Sequence, residues 1–331
     1  MVLAAGFGLR MRPLTLLRAK PVLPVLNRPL LDWTMGRLAR AGVREAIVNL
    51  HHLPETIVSA LGDGRRLGLG IRYSREETIL GTGGGPKAVR ALLGEEPFLL
   101  VNGDVLFEMD LRSLVARHRA SGAPATLALR RNPDPKAYSP VVSDRRGRIL
   151  AIAGRPRPAE GVVSLFASVH VLEPALLDRL PEGVSDSVRD LYIPLLAAGV
   201  PLAGVRVGGA WYDLGQPSLY RDVQLRLLPG GRPLVDRTAR VASSAMLRRS
   251  VVGAGARVGP GARVERSVLW DGATVEAGAR VVGAIVTSEA VVRTGERADQ
   301  VVVLPAAALA SEREAPTAWE GHGEMAWVGI G

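Results

Sequence analysis

Four consecutive blocks of 17 residues, 234–250, 251–267, 268–284 and 285–301, can be laid one above another with their aliphatic residues in register. The second position reads Val235, Val252, Leu269 and Val286; the eighth reads Val241, Val258, Val275 and Val292. The fourteenth reads Leu247, Val264, Val281 and Ala298. Within a block these positions are six apart, and the step into the next block is five. An α-helix needs apolar spacings of three and four, and a simple alternating strand would not place Gly-Ala-Gly-Ala between valines. A coil with three short faces, one inward aliphatic residue per face and small residues at the corners, meets every spacing. Such repeats bury their core by stacking, so four coils can stand as a unit. Residues 306–331 lose the period and are expected to form a cap or a tail.

The chain before the repeat has another texture. Short apolar runs at Val2–Ala5, Ile47–Leu50, Ile71–Tyr73, Phe98–Asn102 and Ala125–Leu129 read as strands. Between them, Leu31, Met35, Leu38 and Ala39 share one helical face, as do Ala88, Val89, Leu92 and Leu93, and Leu111, Leu114, Val115 and His118. Gly42, Gly94 and Gly122 stand where these helices should stop. This alternation predicts an α/β domain over 1–226, a Rossmann-like, mostly parallel sheet with helices on both faces and ligands at the carboxyl ends of its strands. Around Leu227-Leu228-Pro229-Gly230-Gly231 it gives way to the repeat domain, 227–305.

Bulk composition narrows the function classes. An apolar fraction of 47% and a charged fraction of 22% are those of a soluble globular protein. No apolar run approaches the length needed to cross a bilayer, and the opening Val-Leu-Ala-Ala-Gly lacks the basic region and long apolar core of a secretory signal. With no cysteine there are no disulfides or thiolate metal sites, a composition compatible with a reducing cytoplasm, which is the expected location. The net charge of +10 invites a nucleic-acid reading, but the only lysines are Lys20, Lys87 and Lys136, the arginines are spread along the chain, and aromatics are 4%. No basic run is interleaved with aromatics, so a solvated basic surface that gathers small anions is preferred to a nucleic-acid footprint.

The segment Leu3-Ala4-Ala5-Gly6-Phe7-Gly8-Leu9-Arg10-Met11-Arg12 carries the first chemistry. A strand runs into glycines that can take positive φ and turn backbone N–H groups toward an anion. Arg10 and Arg12 can reach the same anion with forked donors. A dinucleotide fingerprint would need a third glycine where Met11 stands, and the Gly-Lys-Ser/Thr of a Walker loop is absent. Lys20, followed by Pro21 and then Leu23-Pro24-Val25, is a point charge between rigid backbone elements, suited to a phosphate. His51-His52 lacks a metal-ligand partner at helical spacing, and His118 and His170 lie in apolar patterns where packing is the expectation.

With three further segments in order, residues 3–29 resemble the signature of the nucleotide-sugar pyrophosphorylases, the sugar-1-phosphate nucleotidyltransferases. Glu77-Thr78-Ile79-Leu80-Gly81-Thr82-Gly83-Gly84 is similar to that family's glycine-rich base-binding turn, Val101-Asn102-Gly103-Asp104 to its strand-end aspartate, and Trp211-Tyr212-Asp213-Leu214-Gly215-Gln216-Pro217 to its late tryptophan–aspartate–glycine segment. The repeat is similar to the left-handed parallel β-helix of hexapeptide repeats that many members carry. The resemblance implies that a sugar-1-phosphate oxygen attacks the α-phosphate of a nucleoside triphosphate and expels pyrophosphate. It implies Arg10 and Lys20 as the catalytic cations on the triphosphate. Leu3, Ala4, Ala5, Gly6, Gly8, Gly81, Thr82, Gly83, Gly84, Asn102 and Gly103 line the nucleotide, and Asp104 and Asp213 hold Mg²⁺ as hard oxygen ligands. The implied partners are a nucleoside triphosphate and a sugar 1-phosphate, with no nucleic acid or membrane, and with self-association through the β-helix or the catalytic domain.

Three departures bear on the sugar. Leu9 stands where the family often has a hydroxyl residue. Gly154-Arg155-Pro156 replaces a Glu-Lys-Pro, which keeps the sugar-phosphate cation as Arg155 and removes the acid; Ser168 stands at the place of a glycine. The glycine turn and the Asn-Gly-Asp strand end resemble the mannose-1-phosphate guanylyltransferase branch. Uridylyl- or thymidylyltransferases, and a catalytically silent nucleotide-sugar-binding regulatory subunit, remain as alternatives. A trimeric acyltransferase is disfavoured by the short repeat without an evident catalytic histidine.

Overall fold

A computed structural model describes residues 1–310 and 319–330; the remainder of the C-terminal cap or tail, 311–318 and 331, lies outside the described residues. The chain divides into two compact units, one made of Met1–Gly6 and Leu31–Tyr212, the other of Phe7–Leu30 and Asp213–Gly331.

The first unit is built on a nine-stranded sheet. Its central path runs Gly70–Arg75, Glu45–Leu50, Val2–Leu3, Phe98–Asn102, Val162–Leu172. The first four strands pair in parallel, and the long Val162–Leu172 strand runs against both Phe98–Asn102 and Ala125–Arg130. Ala203–Arg206 pairs in parallel with Ala125–Arg130, so one strand direction dominates, as the strand–helix alternation predicts. Two shorter strands, Val141–Ser143 and Ile149–Ile152, extend the far edge in antiparallel fashion. The strands read as continuous apolar runs because both faces are covered: Val2, Val48, Val101, Leu127 and Val169 have no exposed surface.

The connecting helices bury the faces that their spacing marks out. In Leu30–Arg40, Leu31, Met35 and Leu38 are buried, and in Leu111–Ser121 so are Leu111, Leu114 and His118. Asp110 caps the latter, its carboxylate accepting from the Ser113 amide at 3.1 Å. One expectation needs correction. The apolar residues 88–93 do not form one helix: Gly81–Ala88 is helical, and a short second helix, Arg90–Leu93, follows a break at Val89. Gly81–Gly84 is therefore the first turn of a helix and not a free-standing turn.

His170, on the long strand, is buried against Tyr192, whose hydroxyl bonds its Nδ1, and against the edge of Phe166 at 5.0 Å between ring centroids. Burial holds its pKa down at about 3. Between the unfolded value of about 6.5 and that limit the unfolded chain binds a proton that the native chain does not, so stability falls with falling pH by up to about 1.4 kcal/mol per pH unit. Unfolding free energies from urea titrations at pH 7 and pH 5 should therefore diverge less in His170→Leu than in the parent, by about 2 kcal/mol. Equal pH slopes would refute the assignment.

In the second unit the 17-residue period becomes three parallel stacks. Leu234–Val235, Val251–Val252, Val268–Leu269 and Ile285–Val286 pair in order with a constant offset, and Val301–Pro305 continues that stack. The other two stacks keep the same register. From the second coil on, the inward columns are almost wholly buried, Val252, Leu269 and Val286 at 0% and Val258, Val275 and Val292 at 0–2%. In the first coil, which has no coil stacked before it, Val235 is 39% exposed and Val241 and Leu247 are only partly buried. Each such aliphatic contributes about 1.5–3 kcal/mol of burial. The coil turns at glycines such as Gly255, Gly261, Gly272 and Gly278, all with φ between +64° and +70°. A second corner takes the same left-handed geometry with Arg249, Arg266, Gly283 and Gln300 in it, which no composition rule would have located. The hairpin Trp319–His322 and Met325–Gly329 pairs onto Val301–Pro305 and places Met325 and Trp327 in the coil core. Among the described residues no helix is long and apolar enough to cross a membrane.

Candidate active site

In the first unit the sheet has a reversal of strand order beside Val2–Leu3. From it the chain proceeds to Glu45–Leu50 and Gly70–Arg75 on one side and to Phe98–Asn102 on the other. A crevice forms outside the carboxyl ends of strands at such a switch point. The structure brings Ala4-Ala5-Gly6 and Asn102-Gly103-Asp104 side by side at the carboxyl ends of two adjacent strands. The Gly103 amide donates to the Leu3 carbonyl at 2.8 Å, and a Cβ on Gly103 would stand 2.7 Å from that oxygen. Glycine is thus required for the Asp104 turn to lie against the first strand. Gly6 differs: it is exposed, its φ is not positive, and a Cβ there would meet nothing within 4 Å. The expectation of positive φ at both loop glycines holds for Gly8 alone.

Gly81 to Gly84 lie against the segment 183–187. The amides of Gly83 and Gly84 donate to the Ser185 carbonyl at 2.8 and 3.4 Å. The Thr82 hydroxyl donates to the Asp186 carboxylate at 2.9 Å and accepts from the Ser187 amide at 2.9 Å. Gly83 and Gly84 are buried, and their missing Cβ atoms make room for this segment.

A polar relay that the sequence did not disclose runs from the first strand to the glycine-rich helix. Asn49 accepts from the Ala4 amide at 2.7 Å and donates to Glu76 at 2.7 Å; the other Glu76 oxygen accepts from the Leu80 amide at 2.9 Å. Both side chains are buried. The end of the first strand and the start of the Gly81–Ala88 helix are therefore held by one hydrogen-bonded chain. Its only sequence signal was a pair of polar residues, Asn49 and Glu76, at strand ends.

Ser168 falls inside the long strand. It sits at a register shift with φ +61°, one residue beyond the Val169–Val101 pair and so beside Asn102. The left-handed geometry explains why a glycine would suit this position. The Trp211 indole donates to the neighbouring Ala167 carbonyl at 3.1 Å, which ties the late tryptophan segment to the same bulge. Arg155 follows a tight turn at Ala153-Gly154, exposed, with its amide bonded to the Ile152 carbonyl at 3.0 Å. His51 binds the Glu76 carbonyl through Nδ1 at 2.9 Å, and His118 is bonded to Thr126 and Glu173, so packing and local bonding account for both.

In the second unit the signature loop closes on itself. Gly8 has φ +64°, and a Cβ there would stand 2.9 Å from the Thr15 methyl and 3.1 Å from the Lys20 Cβ. The Thr15 hydroxyl donates to the Gly8 carbonyl at 3.0 Å. Lys20 is 6% exposed, and its Nζ lies 3.7 Å from Asp213 Oδ1. Arg10 is exposed, and its guanidinium passes over Gly215, where a Cβ would come within 3.1 Å of it. Gly8, Arg10, Thr15, Lys20, Asp213 and Gly215 thus form one cluster of cations and carboxylate around a bent backbone. Gly215 belongs to the late tryptophan–aspartate–glycine segment but has no role assigned by the sequence, and Thr15 has none either; both are small residues whose importance lies in contacts and not in charge.

A family model described as nucleotidyl transferase matches residues 1–229, and one described as GlmU-like C-terminal hexapeptide matches 235–300. The chain is 35% identical over 270 residues to a mannose-1-phosphate guanylyltransferase of Mycobacterium tuberculosis, covering 77% of this chain and 74% of that protein. It is 33% identical to a UTP–glucose-1-phosphate uridylyltransferase of Synechocystis, covering 65% of this chain and 60% of that one. Among solved structures, a putative glucose-1-phosphate thymidylyltransferase of Bacillus anthracis aligns with a TM-score of 0.58 at 21% identity, over 67% of this chain and 92% of that one, a likeness of fold. The chain belongs to the nucleotidyl transferase family, as a sugar-1-phosphate nucleotidyltransferase with a C-terminal domain of hexapeptide repeats.

Proposed function

We propose that the enzyme joins GMP from GTP to mannose 1-phosphate, forming GDP-mannose and releasing pyrophosphate. The observation that carries this reading is the 35% identity, sustained over 270 residues, to the guanylyltransferase of M. tuberculosis. In the reaction a phosphate oxygen of the sugar 1-phosphate attacks the α-phosphorus of the triphosphate. The new P–O bond forms as the bond to the bridging oxygen breaks, and the β- and γ-phosphates leave as pyrophosphate. Both reactants are anions, so the protein's task is to align them and to neutralise charge where they meet.

Lys20 and Arg10 are assigned to the triphosphate. Lys20 is the buried point charge, and Arg10 is the exposed fork above Gly215. The backbone of Leu3 to Gly6 and of Gly8 is assigned to the phosphates. Gly81 to Gly84, Asn102 and Gly103 are assigned to the nucleoside, Gly83 and Gly84 through the packing of their helix on the 183–187 segment. Arg155 and Ser168 are assigned to the sugar phosphate. Asp104 and Asp213 are assigned to Mg²⁺, which, when bound, would offset phosphate charge. Among the described residues no three His, Asp or Glu side chains cluster as a self-sufficient metal site. That donor set still suits Mg²⁺, which binds through one or two carboxylates together with substrate phosphates and water.

The test is pyrophosphate release from GTP, UTP, dTTP, ATP and CTP, each against a panel of sugar 1-phosphates. GTP with mannose 1-phosphate should exceed every other pair in kcat/KM by about tenfold or more, the scale of a few well-placed pocket contacts. A lead for UTP with glucose 1-phosphate would instead favour the second reading, which the Synechocystis relative supports. No release from any pair would favour a silent regulatory subunit.

A further inference from the structure

The β-helix holds the segment that carries Lys20. Within the second unit one Arg18 nitrogen donates to Asp271 Oδ2 and to Ser288 Oγ, each at 2.7 Å. These acceptors are 17 residues apart, so they are the same corner position on consecutive coils. The Arg18 guanidinium also lies 5.2 Å from the centre of the Trp270 ring, and Trp270 is 1% exposed. The Trp270 indole donates to the Tyr220 hydroxyl at 3.1 Å, and that hydroxyl bonds the Pro24 carbonyl. Asn27 donates to the Val252 carbonyl at 2.8 Å, again on the coil. Lys20 is therefore bracketed, two residues before it and seven after it, by anchors on the β-helix.

We propose that Asp271 is a positioning residue for nucleotidyl transfer, acting through Arg18 to fix the backbone from which Lys20 projects. The aliphatic columns of a β-helix do no chemistry, yet its corner residues can set where a catalytic cation stands. An ammonium on a flexible stem is useful against a phosphate only if its root is fixed, and misplacement by about 1 Å can cost up to 10²-fold in rate. Arg18 supplies that rigidity: one nitrogen of its planar guanidinium is held by both a carboxylate and a hydroxyl, and the group rests over an indole ring. The Lys20–Val22 turn gives it a short lever, with Val22 N bonded to the Ala19 carbonyl at 2.9 Å.

This inference rests on the assignment of Lys20 to the triphosphate, and its test separates the two. Asp271→Ala and the isosteric Asp271→Asn are compared with the parent in the full chain, each alone and combined with Lys20→Ala. Expected is a fall in kcat of about 10–100-fold for Asp271→Ala, with the KM for the sugar 1-phosphate within about twofold of the parent. In the Lys20→Ala background the same substitution should change kcat by less than about twofold, because the group it positions is gone. An equal loss in both backgrounds, or no loss in the parent, overturns the proposal. Hydrogen exchange provides a readout that needs no turnover. The amides of Val22 and Leu23 should exchange about tenfold faster or more in Asp271→Asn while those of the coil core at Val258 and Val275 stay protected. Unchanged exchange at Val22 and Leu23 overturns it as well. A parent that releases no pyrophosphate with any pair would refute the proposed activity and leave exchange to decide the anchoring.

Discussion

Asp104→Asn and Asp213→Asn are each expected to lower pyrophosphate release by about 10²–10³-fold, the scale of losing one preorganised electrostatic contact in a phosphoryl-transfer site. Asparagine keeps the shape of either side chain and removes only the charge. For Asp213 two roles must be told apart, because its carboxylate stands 3.7 Å from Lys20 Nζ in a largely buried pair. If it holds Mg²⁺, the Mg²⁺ concentration giving half-maximal rate should rise in Asp213→Asn, and added metal should recover part of the loss. If it serves only to orient Lys20, the rate should fall while the metal titration keeps its midpoint. Asp104 closes the turn that Gly103 packs on Leu3, at the end of another strand. Its loss should show the metal signature alone. Turnover in both variants within about threefold of the parent would sink the metal assignment.

Much of the fold was legible because its period was legible. A 17-residue step with three aliphatic columns admits few solutions, and the stacked strands follow it residue for residue from Leu234 to Val286. The alternation of strands and helices located the parallel sheet for the same reason. Features set by contact with distant chain were not legible. The Asn49–Glu76 relay depends on strands pairing Ala46 with Ile71 and Val2 with Val48, and pattern alone does not say which side chains such pairing faces together. The left-handed corner at Arg249 and Arg266 is set by the coil, which imposes the same geometry on whatever residue arrives there. In the site, charge was easier to read than shape: Arg10, Lys20 and Asp213 stand in one cluster, while Thr15 and Gly215 shape it through contacts, those of Gly215 with chain far away in sequence.

Gly84→Ala is expected to be the most damaging single methyl in the nucleotide region. A glycine-rich stretch at Gly81–Gly85 invites the idea that a base needs the space, but a Cβ on Gly84 would stand 2.1 Å from the Gly183 carbonyl oxygen and 3.1 Å from the Leu80 Cβ. The obstacle is backbone, so no rotamer change relieves it. The helix and the 183–187 segment would have to separate, which breaks the bonds of the Gly83 and Gly84 amides to Ser185 and draws Thr82 from Asp186. Overpacking of this kind costs about 3 kcal/mol or more, which lowers the melting temperature by about 5–10 °C. Gly6→Ala makes the opposite case, since its Cβ would meet nothing within 4 Å. Its stability should stay within about 0.5 kcal/mol of the parent, while the KM for the nucleotide rises, because only a ligand's close approach requires glycine there. Calorimetry beside nucleotide kinetics checks both variants together. A stable Gly84→Ala would mean that the 183–187 segment yields easily, and a Gly6→Ala with parental nucleotide KM would mean that no phosphate approaches the first loop glycine.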